Sequence, residues 1–260
     1  MSDLLEAAEE AARIGGEVLL RWAGKIAARE KAPADLVTEA DLESQEKIRE
    51  YLLGRFPDHD FLGEEGAPAE IRNSEFRWVV DPLDGTLNYV HGLANYSVSI
   101  ALQQENRMIV GVVCDPLTGE CFRAEENQGA FLNNQPLKTS GVDQLSQALV
   151  AASFAPQIQP GLPEVDAFLR VLFACQGLRR MGSAALNLCY VASGRMDGYW
   201  ATSTHLWDVA AGMLILREAG GIFTAFDGQP FDLEKPNFIA SANAPLHGQL
   251  LQTLAGDDKS

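Results

Sequence analysis

The sequence predicts a mixed fold, α+β in its first part and α/β in its second. Residues 1–260 form one unit of two packed lobes, about 1–143 and about 144–260. Three observations carry this. From Tyr96, the apolar runs SVSIALQQ, RMIVGVVCD and ECFRAE are separated only by ENR and PLTG, which is the pattern of an antiparallel meander. After about Ser140, strand-like and helix-like segments alternate. No repeat, low-complexity tract or long linker divides the chain into independent domains.

The elements follow in order. Leu4, Ala8, Ala11, Gly15, Val18 and Trp22 recur at helical spacing and predict a helix over 3–23. KAPADLVTEAD, with Pro33, reads as a loop. A second helix runs from about Thr38 to Leu53 and stops at Gly54 and Pro57. FPDHDFLGEEG reads as a short strand or turn carrying an acidic pair, and Arg77–Val80 as the end of a buried strand. GAFLNNQPL predicts a hairpin turning at Asn133-Asn134. In the second lobe ALVAAS and MDGYWA are strands, while EVDAFLRVLFAC, GSAALNLCYVAS and HLWDVAAGMLILREAG are helices. GIFTAFDGQPF reads as a hairpin around Asp227-Gly228.

Composition excludes several function classes. Asp and Glu total 36 against 20 Lys and Arg, a net charge of −16. Binding to a nucleic-acid polymer needs a basic face, so none is expected. A small phosphorylated substrate stays open, because a bound cation reverses the local sign. No apolar run approaches the ~18 residues of a membrane span, and MSDLLEAAEE lacks the basic and apolar regions of a secretion signal. A cytoplasmic protein without membrane contact is expected. Cys114 and Cys121 flank the turn DPLTGE, so they could face each other; in a cytosolic chain they read as reduced strand cysteines.

The chemistry concentrates in RWVVDPLDGTLNYVHG, residues 77–92. Asp81 and Asp84 stand three residues apart just past a core strand. Burying unpaired charge is costly, so such carboxylates are paired or hold a metal. With the Leu83 carbonyl they form an oxygen donor set that suits Mg²⁺, Mn²⁺ or Ca²⁺ over zinc. Gly85 and Thr86 offer backbone N–H groups to an anion if a helix starts there. The same aspartates also fit a turn or a helix cap. Gly63-Glu64-Glu65-Gly66 and Trp207-Asp208 add further carboxylates, each also explicable alone as a surface turn or a cap.

GEEG, DPLDGTLNYVHG and LWDVAAG, in this order and at these separations, closely resemble the inositol monophosphatase family, and KAPADLVTEAD is similar to its N-terminal signature. The resemblance extends from the first helix to GGIFTAFDGQPFD. It implies the layered αβαβα sandwich of the sugar-phosphatase type and a homodimer. It implies Mg²⁺-dependent, lithium-sensitive hydrolysis of phosphomonoesters, inositol 1-phosphate being the default. Two to three Mg²⁺ ions are implied, with Mn²⁺ possible and Li⁺ or Ca²⁺ inhibitory.

By the same resemblance Glu64, Asp81 and the Leu83 carbonyl match one metal site, and Asp81, Asp84 and Asp208 a second. Thr86 and Asp41, with Glu64, match the residues that orient the attacking water. Gly85 and Thr86 match the phosphate cradle, and Asp84, Asp208, Ser183 and Ala184 are substrate contacts. Asp41 also fits the capping-box spacing after Thr38.

One departure matters. The family's sugar-binding glutamate, seven residues before the WD aspartate, is Ala201 here, with Ser203 and Thr204 as alternative replacements nearby. A site missing a hydrogen-bonding partner loses discrimination. Relatives that act on fructose 1,6-bisphosphate, histidinol phosphate or 3′-phosphoadenosine phosphates therefore remain alternatives. Two other readings are an aspartyl-phosphate phosphatase, whose DxDGT is one residue shorter than this DxxDGT, and a non-catalytic regulator keeping the fold. Arg179-Arg180 reads as a solvated pair, a pair bonded to acidic side chains, or a second phosphate contact, and His205 as a packing or hydrogen-bonded residue or an acid-base group.

Overall fold

A computed structural model describes residues 2–25, 29–32, 35–65, 74–154, 159–232 and 237–256. Pro33 and Gly66 lie outside the described residues. Helix α1 (Asp3–Trp22) is capped by Ser2, whose hydroxyl accepts from Leu5 N–H at 3.2 Å. The segment expected as a loop instead contains a short hairpin, β1 (Arg29–Ala32) with β2 (Asp35–Val37). Its strands are too short for an alternation to be legible. Helix α2 (Glu39–Arg55) follows, with Thr38 as its cap.

The first large sheet contains β3 (Asp60–Gly63), β4 (Phe76–Asp84), β5 (Ser97–Gln104), β6 (Arg107–Asp115), β7 (Glu120–Glu125), β8 (Ala130–Leu132) and β9 (Gln135–Pro136), in that spatial order. A one-turn helix, α3 (Thr86–Val90), joins β4 to β5. The meander and the hairpin at Asn133-Asn134 are as the sequence predicts. The second sheet has order β11-β10-β12-β14-β13, from β10 (Leu149–Ser153), β11 (Gly177–Arg179), β12 (Gly198–Ala201), β13 (Ile222–Ala225) and β14 (Phe238–Ser241). Helices α4 (Pro163–Ala174), α5 (Ala184–Ala192), α6 (Leu206–Glu218) and α7 (Ala244–Ala255) complete the chain.

The layers are αβαβα. Helices α1 and α2 cover one face of the seven-stranded sheet, α5 and α6 fill the space between the sheets, and α4 and α7 cover the far face of the second sheet. The central strands β4, β5, β12 and β14 are thus covered on both sides and read as near-continuous apolar runs. On β4, Trp78 and Val80 pack toward α1 and α2, and Val79 packs into the layer between the sheets. On β12, Tyr199 and Ala201 face that middle layer, and Trp200 faces α7 and α4.

Three expectations are corrected. Strand β4 does not stop before Asp81 but runs on to Asp84. Against β5, Asp81 stands opposite Ser99 and Asp84 opposite Ser97, so the β4 side holds one extra residue. Such a bulge re-aims side chains at a strand end. The turn at Asp227-Gly228 forms, with Ala225 N–H donating to Gln229 O at 2.9 Å, but β13 pairs with β14 rather than with residues after the turn. Pro230 has no N–H to give a ladder, and all four residues of β14 are buried. Finally, Cys114 and Cys121 are joined as a disulfide. They are direct partners in the β6–β7 register, with Cα atoms 4.2 Å apart, so hairpin closure brings the thiols together.

Candidate metal and phosphate site

The β4 bulge, the start of α3 and the N-termini of α2, α5 and α6 meet at one place. Asp81 is 2% exposed, and its Oδ1 accepts from Leu83 N–H at 3.0 Å, closing the turn after Pro82. Asp84 is 7% exposed and faces the first turn of α5. Its carboxylate accepts from Ala184 N–H at 3.0 Å, Ala185 N–H at 2.8 Å and the Ser183 hydroxyl. An anion is favoured there because those N–H groups have no partner within the helix. Asp208 lies in the first turn of α6 and accepts from His205 N–H at 2.6 Å. Glu64 follows β3 directly, with its N–H donating to Val80 O at 3.1 Å. Glu65 beside it is buried, and its backbone is clamped by the Gln45 amide.

Gly85 holds φ +101°, and a Cβ there would lie 3.0 Å from Asn95 O, so glycine is required at this turn. It sets Thr86 at the start of α3, where the hydroxyl lies 3.1 Å from Leu83 O and 3.2 Å from Asp41 Oδ1. A hydroxyl has one hydrogen, so Thr86 donates to one of these at a time. Asp41 fills both sequence-derived roles. Its Oδ2 accepts from Thr38 N–H at 2.9 Å and from the Thr38 hydroxyl, which completes the capping box, while Oδ1 faces Thr86.

The electrostatics are one-sided. Burial, then the neighbouring Glu64, Asp84 and Asp208, push the Asp81 carboxyl well above the usual carboxylate range. Burial raises Asp84 to about 6 despite its three hydrogen bonds, and Glu64 adds to the rise. Burial likewise raises Asp41 to about 6, against the lowering effect of Thr38. Three carboxylates, from Glu64 just after β3, Asp84 on β4 and Asp208 on α6, thus repel the Asp81 carboxylate.

Among the described residues, no three of these side chains already stand in a closed metal cluster. Each aspartate turns oxygens toward a local N–H donor instead. The donor set still fits a hard divalent cation: every group is a carboxylate or carbonyl oxygen, and the charge is uncompensated.

A cleft of about 670 Å³ opens beside this cluster, lined by Asp84, Gly85, Thr86, Ala184 and Asp208 and also by Ser153, Phe154, Arg180, Thr202, Ser203 and Thr204. Ser183 does not line it. Its hydroxyl is fully buried between Asp84 and Leu186 N–H, so of the expected pair only Ala184 reaches the cleft. His205 stacks on Trp207 with centroids 4.7 Å apart, which is the packing role.

Sequence reasoning missed a latch across the cleft. Asn88 Nδ2 donates to Asn95 O and to Met181 O, both at 2.7 Å, and Asn95 Nδ2 donates to Met181 O at 2.9 Å. Gly182 makes this possible, since a Cβ there would lie 2.5 Å from Asn88 Nδ2. The signal was two buried-type asparagines flanking HGLA, but their shared partner is 86 residues away or more.

The inositol monophosphatase family model matches residues 1–257. The chain belongs to the inositol monophosphatase family. It is 40% identical over 257 residues to an inositol-1-monophosphatase of Synechocystis, covering 96% of this chain and 88% of that protein. It is 39% identical over 246 residues to Nus factor SuhB of Pasteurella multocida, covering 93% and 92%. Its structure matches that of the extragenic suppressor protein SuhB from Bartonella henselae with a TM-score of 0.94 at 35% identity, covering 98% and all of that chain. As a member of this family the chain is a phosphoric monoester hydrolase, and the family is generally metal-dependent.

Proposed function

We propose that the chain is a Mg²⁺-dependent phosphomonoesterase of inositol 1-phosphate or a related sugar or polyol phosphate. Water attacks phosphorus in line at a carboxylate-lined metal site. The observation that carries this is the convergence of Glu64, Asp84 and Asp208 on buried Asp81, beside the Thr86–Asp41 pair.

Glu64, Asp81 and the Leu83 carbonyl would hold one cation, and Asp81, Asp84 and Asp208 another. When bound, Mg²⁺ supplies positive charge to the phosphate oxygens and acidifies adjacent water. The chain's own residues do the positioning. Gly85 and Thr86 N–H groups bind a phosphate oxygen, and Ala184 bounds the substrate alcohol. Asp41 accepts the Thr86 hydroxyl hydrogen, which leaves the Thr86 lone pairs to take a hydrogen from the attacking water. Glu64 orients the same water. Catalysis is then positioning and electrostatics, without a covalent phosphoenzyme.

Residues 1–260 act as one catalytic unit, because α5 and α6 serve both sheets. Exposed Leu169, Leu172 and Phe173 on α4, the last 83% exposed, support a homodimer. No described helix is long and apolar enough to cross a membrane, in keeping with a cytoplasmic enzyme. Lithium inhibition is expected.

Phosphate release tests the reading. Inositol 1-phosphate, fructose 1,6-bisphosphate, histidinol phosphate and 3′-phosphoadenosine 5′-phosphate are compared with and without Mg²⁺. Mg²⁺-dependent release from at least one is expected. Mg²⁺ binding without release from any ester in a broad panel favours a second reading, a regulatory role without turnover, which the Nus factor names among the relatives raise.

A further inference from the structure

The cleft holds a cation that the metal-and-phosphate reading does not use. Arg179 ends β11, and its guanidinium curls back to donate to Leu178 O at 3.0 Å. Arg180, the next residue, instead lines the cleft with Asp84, Gly85 and Thr86. Its guanidinium lies 4.8 Å from the centroid of the Phe154 ring, which also lines the cleft. Phe154 is braced edge-on by Phe168 and Trp200, with centroids 5.4 and 6.5 Å away. Among the described residues no carboxylate pairs with Arg180, in a chain of net charge −16.

A guanidinium laid on an aromatic face is pre-organised, and its planar fork matches phosphate or carboxylate oxygens. The same part of the cleft carries the Ser153, Ser203 and Thr204 hydroxyls but no carboxylate of its own to accept from a polyol. Ala201 is fully buried in the middle layer, and the adjacent Thr202 hydroxyl is buried with no hydrogen-bond partner. Apart from Asp84 and Asp208, the cleft lining therefore offers a positive charge and hydroxyls, and no further carboxylate. A cleft of about 670 Å³ also leaves room beyond one phosphate and one sugar ring.

We propose that Arg180 is the specificity-determining residue of this cleft, and that the preferred substrate is a phosphomonoester bearing a second anionic group, most simply a bisphosphate. This deepens the phosphomonoesterase reading and rests on it. In the reaction, water forms the new P–O bond at the phosphate beside Asp81. The ester P–O bond breaks, the departing alkoxide takes up a proton, and the second anion stays on the alcohol, held by Arg180.

Matched pairs test the idea. Inositol 1,4-bisphosphate is compared with inositol 1-phosphate, and 6-phosphogluconate with glucose 6-phosphate, so the second anion is a phosphate in one pair and a carboxylate in the other. A charge-assisted hydrogen bond predicts a preference in kcat/KM of at least about tenfold for the doubly anionic ester in one pair or both. Arg180→Ala should remove most of that preference through KM, and Arg180→Lys should keep part of it. An equal ratio in wild type and Arg180→Ala overturns the proposal. So does a fall in kcat that is the same for every ester. Calorimetric binding of the same pairs to an Asp41→Asn background, with Mg²⁺, separates the two layers of inference. Absence of turnover with all esters counts against the phosphatase reading. A binding preference lost in Arg180→Ala still sustains Arg180, and no preference overturns it.

Discussion

Thr86 places its hydroxyl 3.2 Å from Asp41 Oδ1, joining the first turns of α3 and α2 across 45 residues of sequence. Asp41 closes the capping box at the start of α2 with its other oxygen. Asp41→Asn keeps an oxygen acceptor but loses the anionic one. Its cost in stability should be about 1 kcal/mol, the usual size of a cap effect. Its cost in kcat should be about 100-fold or more, the usual size of a general acid–base contribution. Thermal melts and steady-state kinetics on the same preparation separate the two; near-normal kcat would remove Asp41 from the reaction.

Asp84 ties β4 to the first turn of α5 as well as serving the site. Asp84→Asn sets an NH₂ group among three donors, those of Ser183, Ala184 and Ala185. Turnover should fall at least about 100-fold, as for loss of one preorganised electrostatic group. The rise in Tm caused by Mg²⁺ should shrink with it. A variant that retains the full Mg²⁺-dependent rise would contradict the assignment of Asp84 to a cation.

The raised carboxyls make the metal effect depend on pH. Asp84 and Asp41 hold protons to about pH 6 when folded, against 3.8 for an ordinary aspartate. The folded state therefore binds more protons, and stability without metal declines as pH rises from 3.8 to about 6. Above that window the charges are uncompensated, and divalent cations relieve them. Mg²⁺ should raise Tm more at pH 7.5 than at pH 5. Equal gains at both pH values would mean that these carboxylates do not hold the ion.

The disulfide has a direct chemical test. Trypsin cuts after Arg107 and Arg123, leaving Cys114 and Cys121 on one peptide. Without reduction, that peptide should resist alkylation and weigh two hydrogens less than its reduced form. Full alkylation of native protein would restore the reduced reading.

Much of the fold was legible because its signals are local. The meander strands alternate or run apolar over 6 to 9 residues, and α6 spans 13. Strands β11 and β14, with 3 and 4 residues, lie below the length at which periodicity speaks. The pairing of β13 with β14 was hidden for another reason: a strong turn signal at Asp227-Gly228 competes with burial, and burial wins. In the site, Asp81, Asp84 and Thr86 were legible from one stretch. Ser183 was assigned to substrate by the family resemblance, yet its hydroxyl is spent on Asp84.

By itself, the sequence determined the oxygen-only donors, the acid excess, the order of the three motifs and, through them, the family. Those depend on residue type and short spacing. Only the tertiary structure decided that Glu64, Asp84 and Asp208 crowd Asp81, that Asp41 reaches Thr86, and that Arg180 rather than Arg179 turns into the cleft. These are consequences of a β-bulge, a sheet register and two helices packed between sheets. Each sums contacts between residues far apart in the chain, to which no local pattern is sensitive.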